Sequence, residues 1–190
     1  LSERSFQRYR LARFALAGRF AKLTAAAVQT AAYRKRFVAM GCDASGARVL
    51  DSMKWDNAVV TDVVAGSHAL RAALGIDPDR PLVVAGSTGP GEEKMLVAAC
   101  PREVQLLIAP RKPERFDAAA AAMREAAPAS QVVRRSDRPD GETQRPEKGR
   151  RLFLLDTLGE LKKAYALADV AIVGRSFLGL HGSDPTEPVA

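Results

Sequence analysis

Leu152-Phe153-Leu154-Leu155-Asp156-Thr157-Leu158-Gly159-Glu160, followed by Ala168-Asp169-Val170-Ala171-Ile172-Val173-Gly174-Arg175-Ser176, sets two short apolar runs each ahead of a polar turn that contains glycine. Such runs are strand-sized, and a strand that hands over to a helix through a glycine-bearing turn is the repeating unit of a parallel α/β sheet. The unit recurs upstream. Leu82 to Ala85 leads into Gly86-Ser87-Thr88-Gly89-Pro90-Gly91 and a helix opening at Glu92. Val104 to Ala109 leads into Pro110-Arg111-Lys112-Pro113 and a helix over Phe116 to Ala127, and after Leu155 a helix is expected over Glu160 to Leu167. The repetition predicts an α/β domain with a Rossmann-like parallel sheet covered on both faces. Val132-Val133 is a candidate short strand. The charged, Pro- and Gly-rich run Arg134 to Arg151 is expected to be a mobile surface loop, its arginines either solvated or bound to an anion.

Ahead of that domain, Ser2 is a candidate N-cap for a helix reaching about Phe20. Ala25 to Gln29 suits a short buried strand, Thr30 to Met40 a helix ended by Gly41, and Ala47 to Leu50 a second strand. Together these resemble the last βαβ unit of a preceding domain. The segment Asp51 to Asp62, with Met53-Lys54-Trp55-Asp56, is the expected hinge, followed by a helix from about Val63 to Leu74 and a break at Gly75 to Pro81. The expected division is therefore 1–62 and 63–190.

The composition is that of a globular chain that buries a core, with 47% hydrophobic residues in 190. No apolar run approaches the roughly 20 residues that cross a bilayer. Cys42 and Cys100 lie far apart without metal-ligand spacing and suit free buried thiols in a reducing compartment. Leu1 is not a start methionine and no signal peptide is visible, so the chain is expected to be an internal piece of a longer protein, cut short at its C-terminus. The net charge of +7 is concentrated: the first 38 residues hold nine basic side chains against Glu3, and the remainder is nearly neutral. A basic end suggests either a face toward an anionic surface such as lipid phosphates, or a solvated helix face. Nucleic acid is disfavoured, because no recognised binding module accompanies the arginines.

In an open parallel sheet, ligands bind beyond the carboxyl ends of the strands. Ser87 and Thr88 stand at one such end and offer either a phosphate cradle or an N-cap. Arg111, between two prolines directly after a strand, is placed to fork onto an anion or to form a structural salt bridge. Leu158-Gly159-Glu160 brings backbone N–H groups to another helix start, with Gly159 permitting close approach of a base or ribose and Glu160 serving there or as a first-turn acid. Glu187, bracketed by Pro185 and Pro188, is positioned either to accept both ribose hydroxyls of a nucleotide or to cap a helix. Ser176 and Asp184, in the same terminal loops, are further candidate donor-binding residues. There is no GxGxxG turn, no Walker lysine, no CxxC pair and no Ser, His and Asp arrangement; metal binding lacks ligands, since His181 and His68 lie in unrelated segments.

The motifs Ser2-Glu3-Arg4-Ser5 with Tyr9, Met53-Lys54-Trp55-Asp56, Gly86-Ser87-Thr88 with Gly91-Glu92-Glu93, Pro110-Arg111-Lys112-Pro113-Glu114-Arg115-Phe116, Asp156-Thr157-Leu158-Gly159-Glu160-Leu161 and Glu187-Pro188 resemble, in order and across the chain, those of the 3-deoxy-D-manno-octulosonic acid (Kdo) transferases. The resemblance implies a two-domain GT-B glycosyltransferase that moves Kdo from CMP-Kdo to the lipid A precursor with inversion. It implies no cofactor and no metal in the transfer, a place at the cytoplasmic face of the inner membrane, and a chain holding the end of the acceptor domain and an incomplete donor domain. On that reading Ser87, Thr88 and Arg111 meet the CMP moiety, Leu158-Gly159-Glu160 the cytidine side, and Glu187 the ribose. The family's base is a glutamate near the start of the acceptor domain, outside this stretch, so the chain alone is expected to bind CMP without transferring sugar. Three departures stand out: Gly89 where the family often has His, Gly174-Arg175-Ser176 for its Gly-Gly-Ser, and a longer His181 to Glu187 segment. The alternatives are another GT-B transferase or an epimerase using a UDP-sugar, and a non-catalytic anion- or membrane-binding module.

Overall fold

The computed structural model describes residues 1–50, 64–138, 149–180 and 182–186. The chain forms two compact units, Leu1–Asn57 and Ala58–Ala190; the expected hinge lies outside the described residues.

In the first unit, helix α1 (Glu3–Leu11) is capped by Ser2, whose hydroxyl accepts from the Ser5 N–H at 3.2 Å. The single helix expected to Phe20 is instead two, because Ala12 leaves helical geometry (φ −103°, ψ 21°) before α2 (Arg13–Phe20). Strand β1 (Ala26–Val28), helix α3 (Ala31–Ala39) and strand β2 (Ala47–Val49) form the expected βαβ unit, with the strands parallel and Ala26 opposite Ala47. Thr30 caps α3, and Gly41 (φ 113°) turns the chain out of it. Ala26, Ala47 and Cys42 make a small core against Phe37 and Val38, and Phe20 meets Phe37 edge to face at 5.8 Å.

The second unit is a five-stranded parallel sheet. After α4 (Ser67–Leu74) come β3 (Leu82–Thr88), α5 (Glu92–Ala99), β4 (Gln105–Pro110), a 3₁₀ turn (Pro113–Arg115), α6 (Phe116–Ala126) and β5 (Gln131–Arg134). A second 3₁₀ turn (Arg135–Asp137), β6 (Arg151–Leu154), α7 (Leu161–Tyr165) and β7 (Val170–Val173) complete it. Strand order is β5-β6-β4-β3-β7. The middles of the strands are apolar, and their side chains alternate between two cores as the pleat requires. Leu107, Ala109, Phe153 and Leu155 face the core shared with α4 and α7, while Leu106, Ile108, Leu152 and Leu154 face the one shared with α5 and α6. Each fully buried Leu, Ile or Phe contributes about 1.5–3 kcal/mol.

Four expectations need correction. Helix α4 begins at Ser67 rather than near Val63, after Gly66 in the left-handed region (φ 84°). Strand β3 runs to Thr88 instead of ending at Ala85, because Gly86 and Thr88 still pair with Ala109 and Pro110 around a bulge at Ser87. Helix α7 spans only Leu161–Tyr165. The ends of the Arg134 to Arg151 run are not solvated loop: Arg134 closes β5 and Arg151 opens β6, its buried guanidinium donating to the carbonyls of Gly75 (2.6 Å) and Leu74 (3.2 Å) where α4 ends. The middle of that run, 139–148, lies outside the described residues. Cys42 is buried and Cys100 half-buried, both as free thiols.

Candidate nucleotide-sugar site

From β3 the chain moves to β4 and onward to β5 and β6 on one side, then crosses back to β7 on the other side of β3. Where strand order reverses in this way, loops diverge beyond the carboxyl ends and leave a crevice. A cavity of ≈300 Å³ lies there, lined by Thr88, Gly89 and Pro90 after β3, by Arg111, Lys112, Glu114 and Arg115 around the end of β4, and by Arg175 and Leu180 after β7.

Its walls are held by two buried carboxylates at the start of α5. Glu93 forms a bidentate pair with Arg115 (3.0 and 3.1 Å) and accepts from the Thr88 hydroxyl at 2.9 Å. Arg115 also donates to the Thr88 carbonyl at 3.2 Å, so β3 and the turn after β4 are clamped together. Glu92 accepts N–H bonds from Gly89 (2.8 Å), Arg175 (2.7 Å) and Phe177 (3.1 Å), fastening the loop after β7 to the turn after β3. Gly174 is required by contact: a Cβ there would stand 2.5 Å from the Ser87 carbonyl oxygen.

The structure brings some of the expected residues together and separates others. Arg111 is exposed at the cavity and donates to the Ser183 hydroxyl at 3.3 Å, which in turn reaches the Ser87 carbonyl at 3.4 Å. Ser87, at φ 58°, makes the β3 bulge beside this chain of bonds. Thr88 departs from the expected cradle: its side chain is buried and its hydroxyl is committed to Glu93. Neither residue caps α5, which opens from Gly91 without a side-chain cap. Leu158-Gly159-Glu160 lies beyond the end of β6, the next strand out from β4, and outside the cavity wall. There Leu158 is exposed and Gly159 is left-handed (φ 79°). Glu160 is held by Arg135 (3.0 Å), the Thr157 hydroxyl (2.6 Å) and Lys163 (3.4 Å). Burial pushes the Glu160 carboxyl up, but the bonds from Thr157 and Arg135 outweigh it and bring its pKa below the ordinary glutamate value. Ser176 is exposed after β7, and Asp184 accepts from the Thr186 N–H (3.1 Å) and hydroxyl (2.8 Å), closing a turn of its own. Glu187 and His181 lie outside the described residues. Among the described residues, no group of three or more His, Cys, Asp or Glu side chains could hold a metal ion, and no helix is long and apolar enough to cross a membrane.

Ser183, Glu92, Glu93 and Arg115 were missed as site-building residues. The adjacent glutamates after Gly91 carried a signal, since two acids at a helix start are favourable there whether or not they reach neighbouring loops. Nothing local indicated the loops they would tie.

The parallel sheet, with helices on both faces and a crevice at the reversal of strand order, is an α/β fold of the GT-B type. Residues 1–57 match the family model described as 3-deoxy-D-manno-octulosonic-acid transferase (kdotransferase). The whole chain is 29% identical over 197 aligned residues to the 3-deoxy-D-manno-octulosonic acid transferase of Haemophilus influenzae, and 75% of it is 40% identical to that of Bordetella pertussis. In fold it is similar to the C-terminal CMP-Kdo binding domain of WaaA from Acinetobacter baumannii, with a TM-score of 0.53 and 29% identity over 64% of this chain and 63% of that one. In sequence and in fold the chain is a relative of the Kdo transferases. It spans 44% and 33% of the lengths of the two curated relatives.

Proposed function

We propose that residues 63–190 form the CMP-Kdo site of a Kdo glycosyltransferase, with residues 1–62 as the end of its acceptor domain and hinge. The observation that carries this reading is the cavity at the strand-order reversal, with the Arg111 guanidinium exposed at it and the surrounding loops clamped by buried acids. Transfer from CMP-Kdo develops negative charge on the departing phosphate. Donors already fixed in place stabilise that charge without reorganising, which is how such sites lower the barrier. Arg111 is assigned to the phosphate, the Ser87 bulge to the same end of the donor, and the Leu158-Gly159-Glu160 turn to the cytidine side. Glu187 is assigned to the ribose hydroxyls, with Ser176 and Asp184 in the adjoining loops.

The acceptor is proposed to be the lipid A precursor at the cytoplasmic face of the inner membrane, and the basic first 38 residues support an approach to anionic lipid. Calorimetric titration of the chain with CMP and with UMP tests the donor assignment. CMP is expected to bind more tightly, and a preference for UMP would sink it.

A further inference from the structure

Three residues other than glycine have positive φ among the described residues: Ser87 (58°), Arg175 (61°) and Leu178 (55°). All three lie in the bulge and loop that flank the cavity beyond β3 and β7. Left-handed geometry is unfavourable for a side-chain-bearing residue, and it persists where surrounding structure enforces it, often at ligand sites. At Arg175 the enforcement is visible. Its N–H is held by Glu92 at 2.7 Å, its carbonyl accepts from the Gly182 N–H at 2.6 Å, and Gly174 before it packs on the Ser87 carbonyl. Its side chain lines the cavity, and Gly89 leaves room for it: a Cβ at Gly89 would come within 3.2 Å of the Arg175 Cγ and 2.5 Å of the Leu180 Cδ1. No carboxylate among the described residues forms a salt bridge with this guanidinium, whereas Arg115 in the same wall is fully engaged by Glu93.

We propose that Arg175 is a phosphate-binding residue of this cavity, aimed by the Glu92 carboxylate and accommodated by Gly89, and that with Arg111 it grips one phosphate from two strands. The proposal rests on the donor-site reading above. Each planar guanidinium can fork onto two phosphate oxygens, and two of them on separate loops can approach the group from two sides. The residue type would thus add affinity for the charged part of the ligand and none for the nucleoside.

The test is titration of the 190-residue chain with CMP and with cytidine, for the wild type, Arg175→Ala and Arg175→Lys. Loss of one charge-assisted phosphate contact predicts CMP binding weakened about tenfold or more in Arg175→Ala, with cytidine binding unchanged and partial recovery in Arg175→Lys. Equal CMP affinity in wild type and Arg175→Ala overturns the proposal. So does an equal loss for CMP and cytidine in a variant whose thermal unfolding is unaltered, which would mark a positioning role. A wild-type chain that binds neither CMP nor cytidine instead removes the donor-site reading itself, and this proposal with it.

Discussion

Two clusters of arginine and carboxylate stand beyond the carboxyl ends of the same sheet, and they use the same chemistry to opposite ends. On the β5 and β6 side, Arg134 pairs with Asp156 (2.6 Å) and Asp117 (2.7 Å), Ser136 donates to Asp156 from its N–H (2.8 Å) and hydroxyl (2.6 Å), and Arg135 pairs with Glu160. Arg134 and Arg135 there both meet an acid. On the β3, β4 and β7 side, Glu93 takes Arg115 but Glu92 is consumed by backbone N–H groups, so Arg111 and Arg175 face the cavity without a carboxylate partner among the described residues. What separates a structural cluster from a candidate binding surface is therefore the fate of the acids. Where they bind backbone instead of arginine, positive charge is left for a ligand.

The sharpest test of this difference is Glu93→Ala. Glu93 is 1% exposed at its side chain and Arg115 19%, so removing the acid strands a largely buried guanidinium, and loss of one partner of such a pair costs about 3–5 kcal/mol. Urea unfolding of the variant should show that drop. A change under about 1 kcal/mol would mean that Arg115 finds water or another acid, and that the clamp is dispensable.

Asp156→Ala probes the opposite cluster and should cost about 2–3 kcal/mol, because its buried carboxylate accepts three bonds. Burial alone would raise the Asp156 pKa; the bonds from Ser136 and the Arg134 guanidinium more than reverse that, leaving it below the ordinary value. A carboxylate with a depressed folded pKa adds stability above its unfolded pKa, near 4, and loses it as pH falls through the folded value. Stability should accordingly hold from about pH 5 upward and fall below about pH 4, with a shallower fall in Asp156→Asn. An acid limb as steep in Asp156→Asn as in the wild type would remove Asp156 from the account.

Much of this architecture was legible in the sequence, and the parts that were not share a cause. Uninterrupted runs such as Leu152 to Leu155 declared buried parallel strands, and Ser2, Thr30 and Gly41 marked helix ends as their local chemistry dictates. The bulge at Ser87 was not visible, since its carbonyl is met by Gly174, which follows β7 and is remote in sequence. Thr88 looked available for the same reason: its partner Glu93 is near in sequence, but only Arg115, brought across from the end of β4, fixes that acid in place. Arg134 and Arg135 looked solvated because their acids, Asp156 and Glu160, follow a different strand.

Arg111→Ala should leave folding within about 0.5 kcal/mol of wild type, as an exposed side chain whose protein partner is the Ser183 hydroxyl. Its predicted effect falls on the ligand: CMP should bind about tenfold more weakly, equivalent to about 1.4 kcal/mol. Unchanged CMP affinity would place the phosphate elsewhere and dissolve the contrast between the two clusters.

The smallest effect is expected from Asp117→Ala, and it is informative because Asp117 shares Arg134 with Asp156. Asp117 is 88% exposed at its side chain, against 1% for Asp156. An exposed ion pair is screened by water and contributes at most about 1 kcal/mol, to which the position of Asp117 in the first turn of α6 adds a few tenths. A loss of about 0.5 kcal/mol in chemical denaturation, well under that of Asp156→Ala, would show that burial and not pairing gives the β5 and β6 cluster its strength. Equal losses in the two variants would mean instead that Arg134 needs both acids, and that the cluster acts as one cooperative unit.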